Sequence, residues 1–130
     1  MTNESTGTRI TLLVVDDNAD LAMAVHMSFE EHPTIESIGW IDASDLIVET
    51  VLAQRPDVML LDLTMPGVDP LEALRELRAR GAPLKVIAFS GYDDAETVRL
   101  ARAAGADAFL GKSADPDRIA KAVADVCGRK

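Results

Sequence analysis

Short apolar runs recur along this chain, each followed by a segment of helical spacing, and that alternation restricts the fold more than any other feature. Ile10–Val15 is almost continuously apolar and stops abruptly at Asp16 and Asp17. Leu21, Ala24, Val25 and Phe29 then recur at intervals of three and four, which predicts an amphipathic helix over about 19–31, closed by Pro33. Ile35–Ile41 reads as a second strand interrupted by Gly39, and Ser44 as the N-cap of a helix through Gln54 with Leu46, Ile47 and Val51 inside. Residues 58–61 form a third apolar run ending at Asp62. Asp69 and Pro70 read as a cap and a first helical residue, with Leu71, Leu74 and Leu77 carrying the helix to Arg80 and Gly81 stopping it. A fourth run, 84–89, ends at Ser90 and Gly91, and Val98, Ala101 and Ala104 or Gly105 mark a helix over about 94–104. A fifth, 108–110, ends at Gly111 and Lys112, before a last helix over about 115–127 bearing Ile119, Ala122, Val123 and Val126.

These runs are apolar on both faces instead of alternating, as strands are when helices cover both sides of a parallel sheet. The expected class is therefore α/β, an open doubly wound sheet whose ligand site lies beyond the carboxyl ends of its strands. With the first strand central, Asp16, Asp17, Asp62, Ser90 and Lys112 would all converge on one mouth. Three carboxylates that close repel one another, and a divalent cation relieves the repulsion. Hard oxygen ligands with open positions suit Mg²⁺. One carboxylate can then act as nucleophile toward a phosphoryl group, with lysine, metal and hydroxyl sharing the charge on the transferring oxygens.

The rest of the chain narrows the setting. At 130 residues there is room for one domain with a real core. Residues 1–8 read as a loose polar tail before a domain over 9–128. No apolar run approaches a membrane span, no signal sequence opens the chain, and the lone Cys127 makes no internal disulfide, so a cytoplasmic setting is expected. Against 22 Asp and Glu there are only 13 Lys and Arg, net −9, which argues against direct binding of a nucleic-acid backbone. His26 and His32 have no metal-spaced partners and read as surface residues, while Trp40, Met23 and Met27 read as packing residues.

Four motifs carry a family resemblance: Leu12-Leu-Val-Val-Asp-Asp-Asn18, Pro56-Asp-Val-Met-Leu-Leu-Asp-Leu-Thr-Met-Pro-Gly67, Ile87-Ala-Phe-Ser-Gly91 and Gly105-Ala-Asp-Ala-Phe-Leu-Gly-Lys112. In this order and spacing they resemble the receiver domain of two-component response regulators over about 9–126. The resemblance implies a flavodoxin-like (βα)5 fold with strand order 2-1-3-4-5. It implies that Asp62 accepts a phosphoryl group from a histidine kinase or phosphotransfer protein. Asp17, Asp62 and the main-chain carbonyl of Thr64 would ligate Mg²⁺, with Asp16 acting through water and Lys112 touching the phosphoryl group. Ser90 would move onto a phosphoryl oxygen and draw Phe109 inward, while Thr64 and Tyr92 would set the phosphate's lifetime. Output would pass through helix four, strand five and helix five to an attached domain or a second copy.

Three positions depart from the family pattern. Pro70 stands where glycine is common, Trp40 where a small or acidic residue is usual, and Ser113 where many receivers have proline, often after a cis bond. Ser113 and the stretch 32–39 resemble the receivers that precede LuxR/NarL-type DNA-binding domains. Other functions fit less well. A phosphatase of the haloacid-dehalogenase kind needs a second carboxylate two residues after the nucleophile, but position 64 is threonine. In a flavodoxin-like cofactor carrier, aspartates after strand one would repel the phosphate. A degenerate receiver that only docks partners is the runner-up, and the complete residue set argues against it.

Overall fold

The computed structural model describes residues 9–92 and 94–128, so the expected tail over 1–8 lies outside the described residues. Five strands alternate with five helices: β1 (Ile10–Val15), α1 (Ala19–Ser28), β2 (Ile35–Ile41), α2 (Ile47–Gln54), β3 (Val58–Asp62), α3 (Pro70–Ala79), β4 (Lys85–Ser90), α4 (Ala95–Ala104), β5 (Ala108–Gly111) and α5 (Pro116–Val126). A 3-10 turn, Ser44–Leu46, leads into α2. The strands form one sheet in the order β2-β1-β3-β4-β5, every neighbouring pair parallel. This is the flavodoxin-like order.

Alternate residues of each inner strand serve different cores. Leu13, Val15, Met59, Leu61, Val86 and Ala88 pack beneath α2, α3 and α4. Leu12, Val14, Leu60, Ile87 and Phe89 face α1 and α5, where Ala22, Val25, Phe29, Ile119 and Val123 meet them. Both faces are dry, which is why the strands read as unbroken apolar runs. Among the described residues, no helix is long and apolar enough to cross a membrane.

Two aspartates tie the amino ends of the strands together by the same device. The Asp57 N–H donates to the Thr11 carbonyl while the Asp57 carboxylate accepts the Thr11 N–H at 2.9 Å. Asp107 repeats this with Val86, its N–H on the carbonyl and its carboxylate accepting the N–H, both at 2.8 Å. These reciprocal pairs satisfy backbone groups where each ladder begins.

Several expectations shift in detail. The buried face of α1 is Ala22, Val25 and Phe29, with Ala24 exposed. The helix ends at Ser28, with Phe29 as its C-cap, three residues short of the expected end. Met23 and Met27, expected to pack, are exposed on the opposite side. Ser44 is not a cap: the 3-10 turn starts from Ala43 with no side-chain cap, and the buried Ser44 hydroxyl donates to the Pro66 carbonyl at 3.2 Å. Leu46 points outward, whereas Ile47 and Val51 are buried as expected. Gly39 does not break β2. The register skips Ile38, a bulge that Gly39 accommodates at φ +151°. His32 is half-buried, its Nδ1 accepting the N–H groups of Thr34 and Ile35. Trp40 packs beside the α1 and α5 core.

Arg78 is a hub that no local pattern announces. Its guanidinium donates to the carbonyls of Leu84 and Gly105, each at 2.7 Å, and pairs with Asp107 at 2.9 Å. It thereby joins α3 to the chain entering β4 and β5. Gly105, at φ +118°, leaves room for it, because a Cβ there would stand 2.8 Å from Arg78 Cγ. Arg78→Ala should lose about 2 kcal/mol, since charge-assisted bonds to carbonyls vanish together. A urea midpoint that falls with unchanged slope checks this; an unmoved midpoint would show the hub to be incidental.

Candidate functional site

The sheet order decides which polar side chains meet. β1 and β3 are neighbours at the centre, so the residues at their carboxyl ends, Asp16, Asp17 and Asp62, share one mouth. β4 and β5 follow on one side and bring Ser90 and Lys112, with the Lys112 N–H donating to the Ser90 carbonyl at 3.0 Å. Asp16 and Asp62 are buried, Lys112 is mostly covered and Asp17 is exposed. One oxygen from each of the three carboxylates lies within 4.8 Å of the others.

Lys112 Nζ bridges two of them, at 2.9 Å from Asp16 Oδ2 and 3.2 Å from Asp62 Oδ1. Its ammonium also lies 5.8 Å from the centre of the Phe89 ring. Asp62 Oδ1 collects two further donors, the Thr64 N–H at 2.9 Å and the Thr64 hydroxyl at 3.0 Å. Asp62 Oδ2 is buried and has no hydrogen-bond donor among the described residues. The two oxygens of one carboxylate therefore differ sharply: one is saturated and the other is bare. Beyond its ion pair with Lys112, Asp16 Oδ2 also lacks a donor, while Asp16 Oδ1 accepts the Asn18 N–H at 2.9 Å.

The carboxyls titrate differently for stated reasons. Burial pushes the Asp16 carboxyl up, and the Asp62 charge adds to this against the Asn18 N–H and Lys112. Asp17 is raised first because a proton on it is shared with Asp62, and then by burial and the neighbouring charges. Burial opposes ionisation of Asp62, but the Thr64 N–H, Asp17 and Lys112 outweigh it and hold this carboxyl below its ordinary value. Burial likewise opposes the Lys112 charge, and the two aspartates overcome it and raise the ammonium's pKa. The resting arrangement is an ionised Asp62 facing a firmly cationic lysine.

The other expected residues lie close by in different states. The Ser90 hydroxyl is buried and accepts the Tyr92 N–H at 3.0 Å, leaving its own proton free to donate. Tyr92 is 66% exposed. Phe109 is half-buried, packed against the core under α4, and pairs in register with Ala88. Pro70 is absorbed as the first residue of α3 behind its Asp69 cap. The bond between Lys112 and Ser113 is trans. Two residues went unforeseen. Asn18 caps α1 by accepting the Leu21 N–H at 3.1 Å, a role its place just before a helical pattern signals. Phe89 carries no such signal, because in sequence it is one more member of an apolar run.

Comparison with known proteins agrees with this geometry. Residues 12–124 match the family model of the response regulator receiver domain. The nitrate/nitrite response regulator protein NarL of Escherichia coli K12 is 33% identical over 113 residues, 87% of this chain and 52% of that protein. The chain thus spans about half the length of that relative. The Bacillus subtilis sporulation initiation phosphotransferase F is 27% identical, over 86% of this chain and 89% of that protein. The signal receiver domain of the putative response regulator NarL from Mycobacterium tuberculosis superposes with a TM-score of 0.87 at 29% identity, covering 94% of this chain and 98% of that one. From the family match and the shared fold, the chain belongs to the response regulator receiver domains of two-component systems, with NarL-type proteins among its relatives.

Proposed function

We propose that Asp62 is the phosphoacceptor and that its Oδ2 is the attacking atom. The bare, buried Oδ2 opposite a donor-saturated Oδ1 carries this reading. An ionised carboxylate oxygen without a donor keeps its lone pairs available. Attack forms the Oδ2–P bond as the bond from phosphorus to the donor's leaving atom breaks, and the leaving group takes the electron pair. Lys112 stands where it can pair with a phosphoryl oxygen, and the free Ser90 proton can donate to another. The natural donor would be the phosphohistidine of a sensor kinase or phosphotransfer protein. The chain acts as a switched module over 9–128, assisting its own phosphorylation and dephosphorylation, with Thr64 and Tyr92 tuning the lifetime. Its expected setting is the cytoplasm.

The carboxylates fit Mg²⁺. The donor-poor, buried Asp16 Oδ2, the exposed Asp17 and the ionised Asp62 give a hard, anionic donor set with open positions. Asp17, Asp62 and the Thr64 carbonyl would hold the ion and Asp16 would act through water; bound there, it would neutralise charge on the phosphoryl oxygens. With acetyl phosphate, intact mass should show one added phosphoryl group in Mg²⁺ and none in EDTA. Equal labelling in EDTA would refute the metal's part. Without donor, ~10 mM Mg²⁺ over a ~1 mM site should add about 1.4 kcal/mol, because the ion binds only the folded chain. The sign with pH follows from the shifts. Asp16 and Asp17 are raised, so in metal-free protein their contribution is full at low pH and is lost as pH rises through them. Asp62 is lowered, and its contribution is lost as pH falls. Protons compete with the ion at Asp17, so the Mg²⁺-induced rise in melting temperature should shrink as pH falls through a value above the ordinary 3.8.

Output is read by Ser90 and relayed to Phe109. The support is adjacency: Ser90 ends β4, Phe109 lies on the neighbouring β5, and Phe109 packs against the core that Ala101 and Ala104 of α4 help to form. Beryllofluoride with Mg²⁺ should move amide resonances across α4, β5 and α5, the surface that an output domain or second copy would use. Shifts confined to the carboxylate mouth would refute the relay.

A further inference from the structure

At the opposite end of the sheet, where β3 and β4 begin, a cleft of about 480 Å³ opens between the carboxyl ends of α2 and α3. Apolar side chains form much of its lining: Val51 and Leu84 are buried, and Leu52 is 41% exposed beside Pro83. Arg55 stands on its rim as the C-cap of α2. Arg55 has φ +51° and ψ +57°, the one left-handed residue other than glycine among those described. A side chain in that region costs about 1 kcal/mol that glycine would avoid. That conformation closes α2, the Arg55 N–H donating to the Val51 carbonyl at 2.8 Å, while the exposed Arg55 guanidinium has no hydrogen-bond or ion-pair partner among the described residues.

The other charges lining the cleft are already engaged. Arg80 pairs with Glu76 at 2.8 Å, and Asp57 Oδ2 is taken by the Thr11 N–H and hydroxyl. One unspent cation thus overhangs an apolar cleft in a chain of net charge −9. A bare guanidinium beside apolar side chains suits a carboxylate.

We infer that this cleft docks an acidic segment of a partner protein, one apolar side chain entering between Leu52 and Pro83 while a carboxylate meets Arg55. The site is remote from the carboxylate mouth and independent of phosphoryl chemistry. Arg55→Gly separates binding from folding, because it relieves the left-handed strain and should melt no lower than the parent.

The test uses a blocked peptide of alternating leucine and glutamate, titrated into the full chain with amide shifts as readout. Added to about 10 mM, it would fill even a ~1 mM site. Shifts should concentrate at Leu52, Arg55, Gly81 and Leu84, and affinity should fall at least about fivefold in Arg55→Gly. Replacing the glutamates by glutamine, or the leucines by alanine, should weaken binding to a similar degree. No localised shift, shifts gathered at Lys112 instead, or undiminished binding by Arg55→Gly would each overturn the inference. So would equal binding of the glutamine peptide, which would leave an apolar contact with no part for Arg55.

Discussion

Asp62→Asn should reduce phosphoryl incorporation from acetyl phosphate to below ~1% of the parent rate, a barrier increase of more than ~2.7 kcal/mol. An amide has no anionic oxygen to attack phosphorus. The substitution still leaves a carbonyl that can accept from Thr64 and Lys112, so the surroundings of Oδ1 survive and the loss falls on Oδ2. It also removes one of three clustered charges and should weaken Mg²⁺ binding, which a melting-temperature titration would show separately. Folding is checked by circular dichroism, and transfer by intact mass. Label retained near the parent rate would move the acceptor to Asp16 or Asp17, and peptide mapping would locate it.

Lys112→Met should lower stability by about 3 kcal/mol in EDTA near neutral pH. The lysine is the only cation paired with Asp16 and Asp62 among the described residues, and both carboxylates are buried. Removing one partner of a buried pair leaves charge uncompensated, and that costs more than the pair contributed. The protein has one escape, which is to take up a proton. Asp16, already raised by burial, is the ready acceptor, so the loss should be smallest at acid pH and full once Asp16 and Asp17 are ionised. In the parent, Lys112 is raised, so its contribution holds below its unfolded value of 10.5 and fades as pH climbs through the folded one. Mg²⁺ supplies replacement charge and should restore part of the loss. Urea denaturation in Mg²⁺ and in EDTA measures both effects. An equal loss in the two buffers would mean that the lysine acts by packing over Phe89 and not by its charge.

Much of this molecule is legible in local pattern. β1 and β2 occupy the residues their apolar runs mark, and Asp69, Pro70 and Gly81 bound α3 as their chemistry requires. A parallel sheet covered on both faces needs strands apolar throughout, and it places their carboxyl ends together. With the first strand central, Asp16, Asp17, Asp62, Ser90 and Lys112 therefore belong to one mouth on sequence grounds. The phase of α1 could not. Ala22 and Ala24 are chemically alike, and only the strand faces beneath the helix choose between them. Ser44 resembles a cap until the Pro66 carbonyl, twenty-two residues away, claims its hydroxyl. Arg78 looks like one surface arginine among many until Leu84, Gly105 and Asp107 close around it. Nor does any pattern distinguish the two oxygens of Asp62, because their difference comes from where Thr64 and Lys112 place their donors in space. Periodicity and turn chemistry are local, so sequence alone determined the strands and the cast of the site, while the order of the strands in the sheet followed only from the family resemblance. Donor direction and helix phase depend on contacts that exist only after the layers have packed, and tertiary structure alone decided them.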